Sequence, residues 1–173
     1  MNIVVLRETQ KGEARVALMP ESIKKLVALK ASVLVESGAG LSAARTDEEF
    51  REAGAEISSD RSKLLSDADV LTVVNRPSTE DFQQLRTGAV VIGFLRPLDE
   101  PSALSPAVNG GITTFAVELI PRITRAQAMD ALSSMATVAG YKAVLIGASY
   151  IPRMLYGDAK DSLTRLVQAV QHA

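Results

Sequence analysis

The sequence predicts an α/β fold: a mainly parallel sheet flanked by helices on both faces, a flavodoxin- or Rossmann-like three-layer sandwich. Three observations predict it. Short runs rich in Val, Ile and Leu alternate with longer runs at helical spacing, the order that crossover connections between parallel strands require. Hydrophobic residues make up 47% of the chain while aromatics make up only 4%, so the core is aliphatic, as in a sheet covered on both sides. Gly, Pro and helix-capping residues fall between the runs rather than inside them.

Each element follows in order. Residues 2–6, "NIVVL", form a first strand. "MPESIKKLVALKA" places Pro20 at a helix start and Ile23, Leu26, Val27 and Leu29 at helical spacing. "SVLVE" is a second strand and ends in the turn "SGAG". "TDEEFREAGA" has Thr46 as N-cap and Glu49 three residues on, a capping box, and stops at Gly54. "DRSKLLSDA" is a short helix, "DVLTVV" a third strand, and Pro77 ends it. "STEDFQQLR" is a helix capped by Ser78, and "GAVVIGFL" a fourth strand. "EPSALSPAVNGG" is a short helix stopped at Gly110 and Gly111, and "ITTFAVEL" a fifth strand. From Ala126 an Ala-rich helical run places Met129, Leu132, Ala136, Ala139 and Ala143 on one face, where small residues permit close packing. The 173 residues are read as a single domain over 1–173, with 157–173 a C-terminal helix that can complete it.

Composition excludes several functions. The net charge is -1 with no long run of either sign, which argues against nucleic-acid binding, since that needs clustered cations. With no cysteine there are no disulfides, thiolate metal sites or thiol nucleophiles. The single histidine, His172, is next to the last residue, a poor place for a metal ligand or a catalytic base. No uninterrupted apolar run reaches the roughly 18 residues that span a bilayer, so no direct membrane insertion is expected. "MNIVVLRETQ" lacks the pattern of a signal peptide.

Three motifs carry chemistry. Gly38, Gly40 and Ala43 fit G-x-G-x-x-A after a strand, but the helix begins only near Thr46, out of register with a dinucleotide fingerprint, and a tight turn is the favoured reading. "RETQKGEARVALMP" lies where the carboxyl end of the first strand opens. There Arg15 is either part of a solvated charged loop or a grip for a carboxylate or phosphate. "PRITRAQAMDALSS" crowds Arg122, Arg125, Gln127, Asp130 and Ser133 between a strand and a helix. Gln127 can read a carboxamide, and Asp130 and Ser133 share a helix face. The same residues could equally be a helix cap with a surface ion pair.

The segment "AVELIPRITRAQAMDALSSMATVAGYKAVL" closely resembles the signature of the α subunit of proton-translocating nicotinamide nucleotide transhydrogenase. "GEARVALMPE", "VESGAG", "FREAGAEI" and "DADVL" resemble the same family's N-terminal segment, in the same order. That segment is related to the N-terminal domain of alanine dehydrogenase, and the resemblance runs from Met1 to about Arg153. It implies that Arg122, Gln127, Asp130 and Ser133 approach the nicotinamide ring of NAD(H). It implies that Arg15 matches the arginine that binds the substrate carboxylate in alanine dehydrogenases. Two other residues of that substrate site are missing: Asn75 occupies the lysine position in "VVNRP", and "GFLRPLDE" lacks the histidine. Oxidation of alanine is therefore not expected. The family's Rossmann domain, which holds its true dinucleotide fingerprint, does not follow residue 153 here. NAD(H) binding is expected to be weak, or to need a partner domain. The implied partners are a second copy in a homodimer, a separate NAD-binding Rossmann subunit, or a membrane transhydrogenase subunit. The implied location is cytoplasmic, with membrane association through a partner.

Overall fold

The structure is a computed structural model that describes residues 1–150. The expected helix over 157–173 and His172 lie outside the described residues. The chain divides into two compact units, Met1–Leu119 and a second that begins at Ile120.

The first unit is the expected sandwich. Its strands are β1 (Asn2–Val5), β2 (Ser32–Glu36), β3 (Glu56–Ser58), β4 (Val70–Asn75), β5 (Val90–Phe94) and β6 (Thr113–Ala116). They form one sheet in the order β3-β2-β1-β4-β5-β6, and every pairing is parallel. Helices α1 (Pro20–Ala28), α2 (Asp47–Glu52), α3 (Arg61–Asp67), α4 (Thr79–Gln84) and α5 (Ser105–Asn109) make the crossovers. Ile3 and Val5 of β1 enter one core with Ile23 of α1 and Phe50 of α2. Val4 of β1 and the following Leu6 enter the other, with Leu64, Leu65, Phe82 and Ala107. The alternation of side chains along one strand thus feeds two cores, one on each face of the sheet.

One strand has no signal in the sequence. β3 is three residues long and lies at the sheet edge, paired only with β2. Its "EIS" is too short to display a period.

The local capping signals are realised. Thr46 Oγ1 accepts from the Glu49 amide at 3.3 Å, and Glu49 Oε2 accepts from the Thr46 amide at 2.7 Å. Ser78 makes the same reciprocal pair with Asp81 at the start of α4.

In the second unit the Ala-rich run does not begin as one helix at Ala126. Residues Thr124–Met129 form a 3-10 helix, and α6 (Ala131–Tyr150) starts after Asp130. The reason is local. Asp130 Oδ1 accepts from the Ser133 amide at 3.0 Å and Oδ2 from the Ser133 hydroxyl at 2.6 Å, a cap that resets the helix start. The predicted face is also rotated. Val144 is the buried position and Leu132, Gly140 and Ala148 are half-buried, whereas Met129, Ala136, Ala139 and Ala143 are exposed. The protected stripe runs from Gly140 through Val144 to Ala148 at spacings of four, rather than along the face expected from helical spacing.

The expectation about membrane length needs correction. Ala131–Ser149, 19 residues, is long and apolar enough to cross a membrane by length and composition. Counting uninterrupted apolar runs missed it, because Ser133, Ser134, Thr137 and Lys142 are scattered among many alanines and aliphatics.

Candidate functional site

The carboxyl ends of the parallel strands all open on one edge of the first unit, and charged side chains gather there. Arg61, the first residue of α3, is the hub. Its Nε and Nη2 donate to both oxygens of Asp81, at 3.0 and 2.9 Å, and its Nη1 donates to Glu36 Oε2 at 2.6 Å. Nη1 also reaches the Arg7 carbonyl oxygen at 3.3 Å. Glu36 and Asp81 are buried, at 7% and 8% exposure, so these charges are satisfied inside the protein. Burial pushes the Asp81 carboxyl up, but the hydrogen bonds and charge of Arg61 outweigh it and hold the group below its ordinary value.

Beside this lies a second network. Arg15 donates from Nε to Glu13 Oε1 at 2.8 Å and from Nη2 to Glu13 Oε2 at 2.6 Å, the two-pronged geometry expected for a carboxylate. The carboxylate is one of the chain's own. The Asn75 amide nitrogen spans Glu8, at 3.1 Å, and Glu13, at 2.9 Å. The Arg15 guanidinium also stands 5.7 Å from the centroid of the Phe94 ring. The hydrogen bond from Arg15 holds Glu13 well below its ordinary value, at about 2, with Asn75 and the Arg15 charge adding to it and burial opposing it. A carboxyl depressed in the folded state stabilises the fold fully above its unfolded value, and that contribution is lost as pH falls toward the folded value. Thermal unfolding measured from pH 5 to 2 is therefore expected to show a loss of stability across that window. Glu13→Gln should flatten the loss, and an unchanged profile in the variant would show that the pair contributes nothing.

The "SGAG" loop is a tight turn. Gly38 adopts φ 76°, and its amide donates to Asp47 Oδ1 at 2.8 Å while the Ser37 hydroxyl donates to Asp47 Oδ2 at 2.7 Å. A pyrophosphate cradle needs such amides free and no anion against them. Here a carboxylate already fills that place.

In the second unit, Arg122, Gln127, Asp130 and Ser133 line one cleft of about 510 Å³, with Thr124 and Thr137. The turn of 3-10 helix brings Gln127 to the cleft, and the first turns of α6 bring Ser133 and Thr137. The Ser133 hydroxyl and amide hold the Asp130 carboxyl below its ordinary value, and the Arg122 charge adds to the effect. Asp130 therefore stays ionised near neutral pH and serves as the cap of α6. The cap and the cleft wall, two readings of this segment, are the same residues. Arg125 is exposed and does not line the cleft.

Known proteins share this fold and much of this sequence. The family described as alanine dehydrogenase/PNT, N-terminal domain, matches residues 4–139. The NAD(P) transhydrogenase subunit alpha of Cereibacter sphaeroides is 38% identical over 158 residues, which cover 91% of this chain and 30% of that protein. Alanine dehydrogenase of Mycobacterium tuberculosis is 31% identical over 153 residues, covering 88% of this chain and 41% of that one. The crystal structure of a transhydrogenase from Sinorhizobium meliloti superposes with a TM-score of 0.85 at 43% identity, covering 90% of this chain and 46% of its own. This chain thus spans less than half the length of each of these proteins.

Proposed function

We propose a function from one premise: this chain belongs to the alanine dehydrogenase/PNT N-terminal domain family. Within it, the similarity to transhydrogenase α subunits supports a transhydrogenase-related role. The reading is that residues 121–137 hold the nicotinamide of NAD(H) in position for hydride exchange with NADP(H). The observation that carries it is the convergence of Arg122, Gln127, Asp130 and Ser133 on one cleft.

The chemistry of hydride exchange belongs to the two nucleotides. The hydride leaves one nicotinamide with its electron pair and joins the other, so no side chain has to give or take a proton. The chain's own task is orientation. Gln127, which forms no side-chain hydrogen bond among the described residues, is free to read a carboxamide with its donor and acceptor. Arg122 supplies a fixed cation. Asp130, tied to Ser133, keeps the loop in one shape. The fit is that of a positioning loop, with the main grip on the dinucleotide left to a Rossmann domain.

NADH titrated into the isolated chain is expected to bind weakly or not at all, with no turnover. Adding the Rossmann-containing remainder of a transhydrogenase α subunit and the NADP(H)-binding component should restore exchange. Gln127→Ala should lower that exchange at least about tenfold, the scale of a lost polar contact to a positioned ligand. Asp130→Asn, which keeps an acceptor for the cap, tests the charge separately. Tight NADH binding by the chain alone, or indifference to both substitutions, would overturn the reading.

A second reading rests on α6. Met135, Val138, Tyr141, Leu145 and Ile146 are exposed along it. A chain that uses this surface to form a homodimer, or to pair with a transhydrogenase subunit without supporting exchange, would be a non-catalytic interaction module. Complex formation with no activity, or with inhibition, would favour it. The location that fits is cytoplasmic, with membrane association only where the partner is a membrane transhydrogenase subunit.

A further inference from the structure

We propose that Glu118 is a positioning residue for the segment 121–137: its carboxylate, tied to the backbone amide of Arg96, fixes the direction in which the chain leaves β6 for that segment. The inference rests on the reading of 121–137 as the holder of the nicotinamide, and adds what sets the segment's shape from outside it. Strands β5 and β6 run parallel and in register as far as Gly93 opposite Ala116. Beyond that pair a side chain takes over. Glu118, in the 3-10 turn Val117–Leu119, accepts through Oε1 from the Arg96 amide. The bond spans 22 residues and joins the ends of two neighbouring strands.

Two features of this tie are unfavourable for folding. Arg96 sits at φ 51°, a conformation uncommon for a residue with a side chain. Glu118 Oε2 is buried without a hydrogen-bond partner among the described residues, and an acceptor left unmet costs stability. A pair of residues kept for stability alone would show neither. Backbone strain persists where the surrounding structure holds it, and it gathers where shape matters to function. Leu95, next to Arg96, is fully buried in the core, so the turn is pinned on that side as well.

What the tie controls follows from its place in the chain. Leu119, Ile120 and Pro121 are all that separate Glu118 from Arg122, the first residue of the 121–137 cleft. The Pro121 ring fixes its own φ, and the Ile123 amide donates to the Pro121 carbonyl oxygen at 2.9 Å. So short and stiff a connection passes on the direction set at Glu118. Glu118 itself does not line the cleft, so it acts through the segment and not on the nucleotide. That is enough to matter, since misplacing a positioning group by about 1 Å costs on the order of 100-fold in rate.

The test has two arms. In the first, the full chain is treated with trypsin well below its melting temperature, and cleavage is followed bond by bond. Arg122 and Arg125, both exposed, are cleavage points inside the segment, while the exposed Lys30 and Lys63 report opening of the first unit. Glu118→Ala should speed cleavage after Arg122 and Arg125 at least about fivefold, the scale of one lost hydrogen bond, and leave Lys30 and Lys63 as in the parent. Glu118→Gln, which keeps an oxygen for the Arg96 amide, should restore the parent pattern. Arg96→Asn keeps the amide and tolerates the left-handed region, so it should cleave after Arg122 and Arg125 as the parent does. In the second arm, hydride exchange is measured with the Rossmann-containing remainder of a transhydrogenase α subunit and the NADP(H)-binding component. Glu118→Ala should lower kcat about tenfold with little change in KM for NADH, because the main grip lies elsewhere, and Glu118→Gln should recover it. No acceleration of cleavage in Glu118→Ala, or an equal acceleration at all four bonds, overturns the tie. Selective cleavage with parent-like exchange overturns the positioning role. If Gln127→Ala also leaves exchange unchanged, the fault lies in the reading of the segment itself.

Discussion

Replacing Arg61 with alanine is expected to lower the unfolding free energy by about 3 kcal/mol, the lower end of the range for breaking a buried charge network. The lower end applies because the Arg61 side chain keeps 28% of its surface in water. The loss arises because two buried carboxylates, Glu36 and Asp81, lose their shared cation at once. Glu36 keeps the Arg7 amide, at 2.8 Å, and Asp81 keeps the long contact from the Ser78 amide, at 3.4 Å. Neither replaces a charge. The substitution also unties the elements that meet at the carboxyl edge of the sheet, the end of β1, β2, α3 and α4. The pH dependence has a definite sign. In the parent, Arg61 holds Asp81 below its ordinary value, so protonation in acid costs stability. In the variant, desolvation without the cation raises Asp81, so protonation becomes favourable. The gap between parent and variant should therefore be widest near neutral pH and narrow as pH falls through the carboxylate range. Urea unfolding at pH 7 and pH 4 measures it, and a gap that stays constant would contradict the assignment. Arg61→Lys should recover only part of the loss, since one ammonium cannot reproduce a fork that serves three carboxylate oxygens and a backbone carbonyl at once.

Phe50→Ala is expected to cost about 3–5 kcal/mol. Phe50 is fully buried on α2, within the core beneath β1 and β2. Its ring lies directly against Gly40. A Cβ at Gly40 would stand 2.4 Å from the ring and 2.9 Å from the Arg45 carbonyl oxygen. Gly40→Ala alone should therefore cost about 1–3 kcal/mol through overpacking. The two effects are coupled. Once the ring is gone, Gly40→Ala loses its nearest clash and still meets Arg45, so its cost in the Phe50→Ala background should be smaller than in the parent. A double-mutant cycle by chemical denaturation reads the difference. Strict additivity would mean that the Arg45 contacts, rather than the close approach of the ring, exclude a side chain at this αR position. The result bears on function, because it separates a glycine retained for packing from one retained to admit a pyrophosphate.

The segment from Arg122 to Ser133 shows how far a sequence pattern reaches. The crowding of Arg122, Gln127, Asp130 and Ser133 is visible as an anomaly in the chain, and all four line one cleft. Helical spacing is enough for that, because the contacts that shape the loop span three residues. The same short reach explains the capping boxes at Thr46 and Ser78, each closed by a partner three positions on.

Where partners are distant, the pattern is silent. Arg15 reads as either a solvated loop charge or an anion grip; what the chain does not show is that Glu13, two residues away, engages it while holding Asn75 from 62 residues away. Arg61 carries no signal at all as the first residue of a short helix. Its partners lie 20 and 25 residues away in sequence and meet it only because parallel crossovers return every strand to the same edge. The strained turn at Arg96 is equally hidden, since its φ is imposed by Glu118 across 22 residues.

By itself, then, the sequence determined the alternation of strands and helices, the aliphatic double core and the caps, because each depends on period or on neighbours within one helical turn. Tertiary structure alone decided which charges are paired inside the protein and which face a cleft. That assignment depends on strand order, a property of the whole sheet that no local window contains.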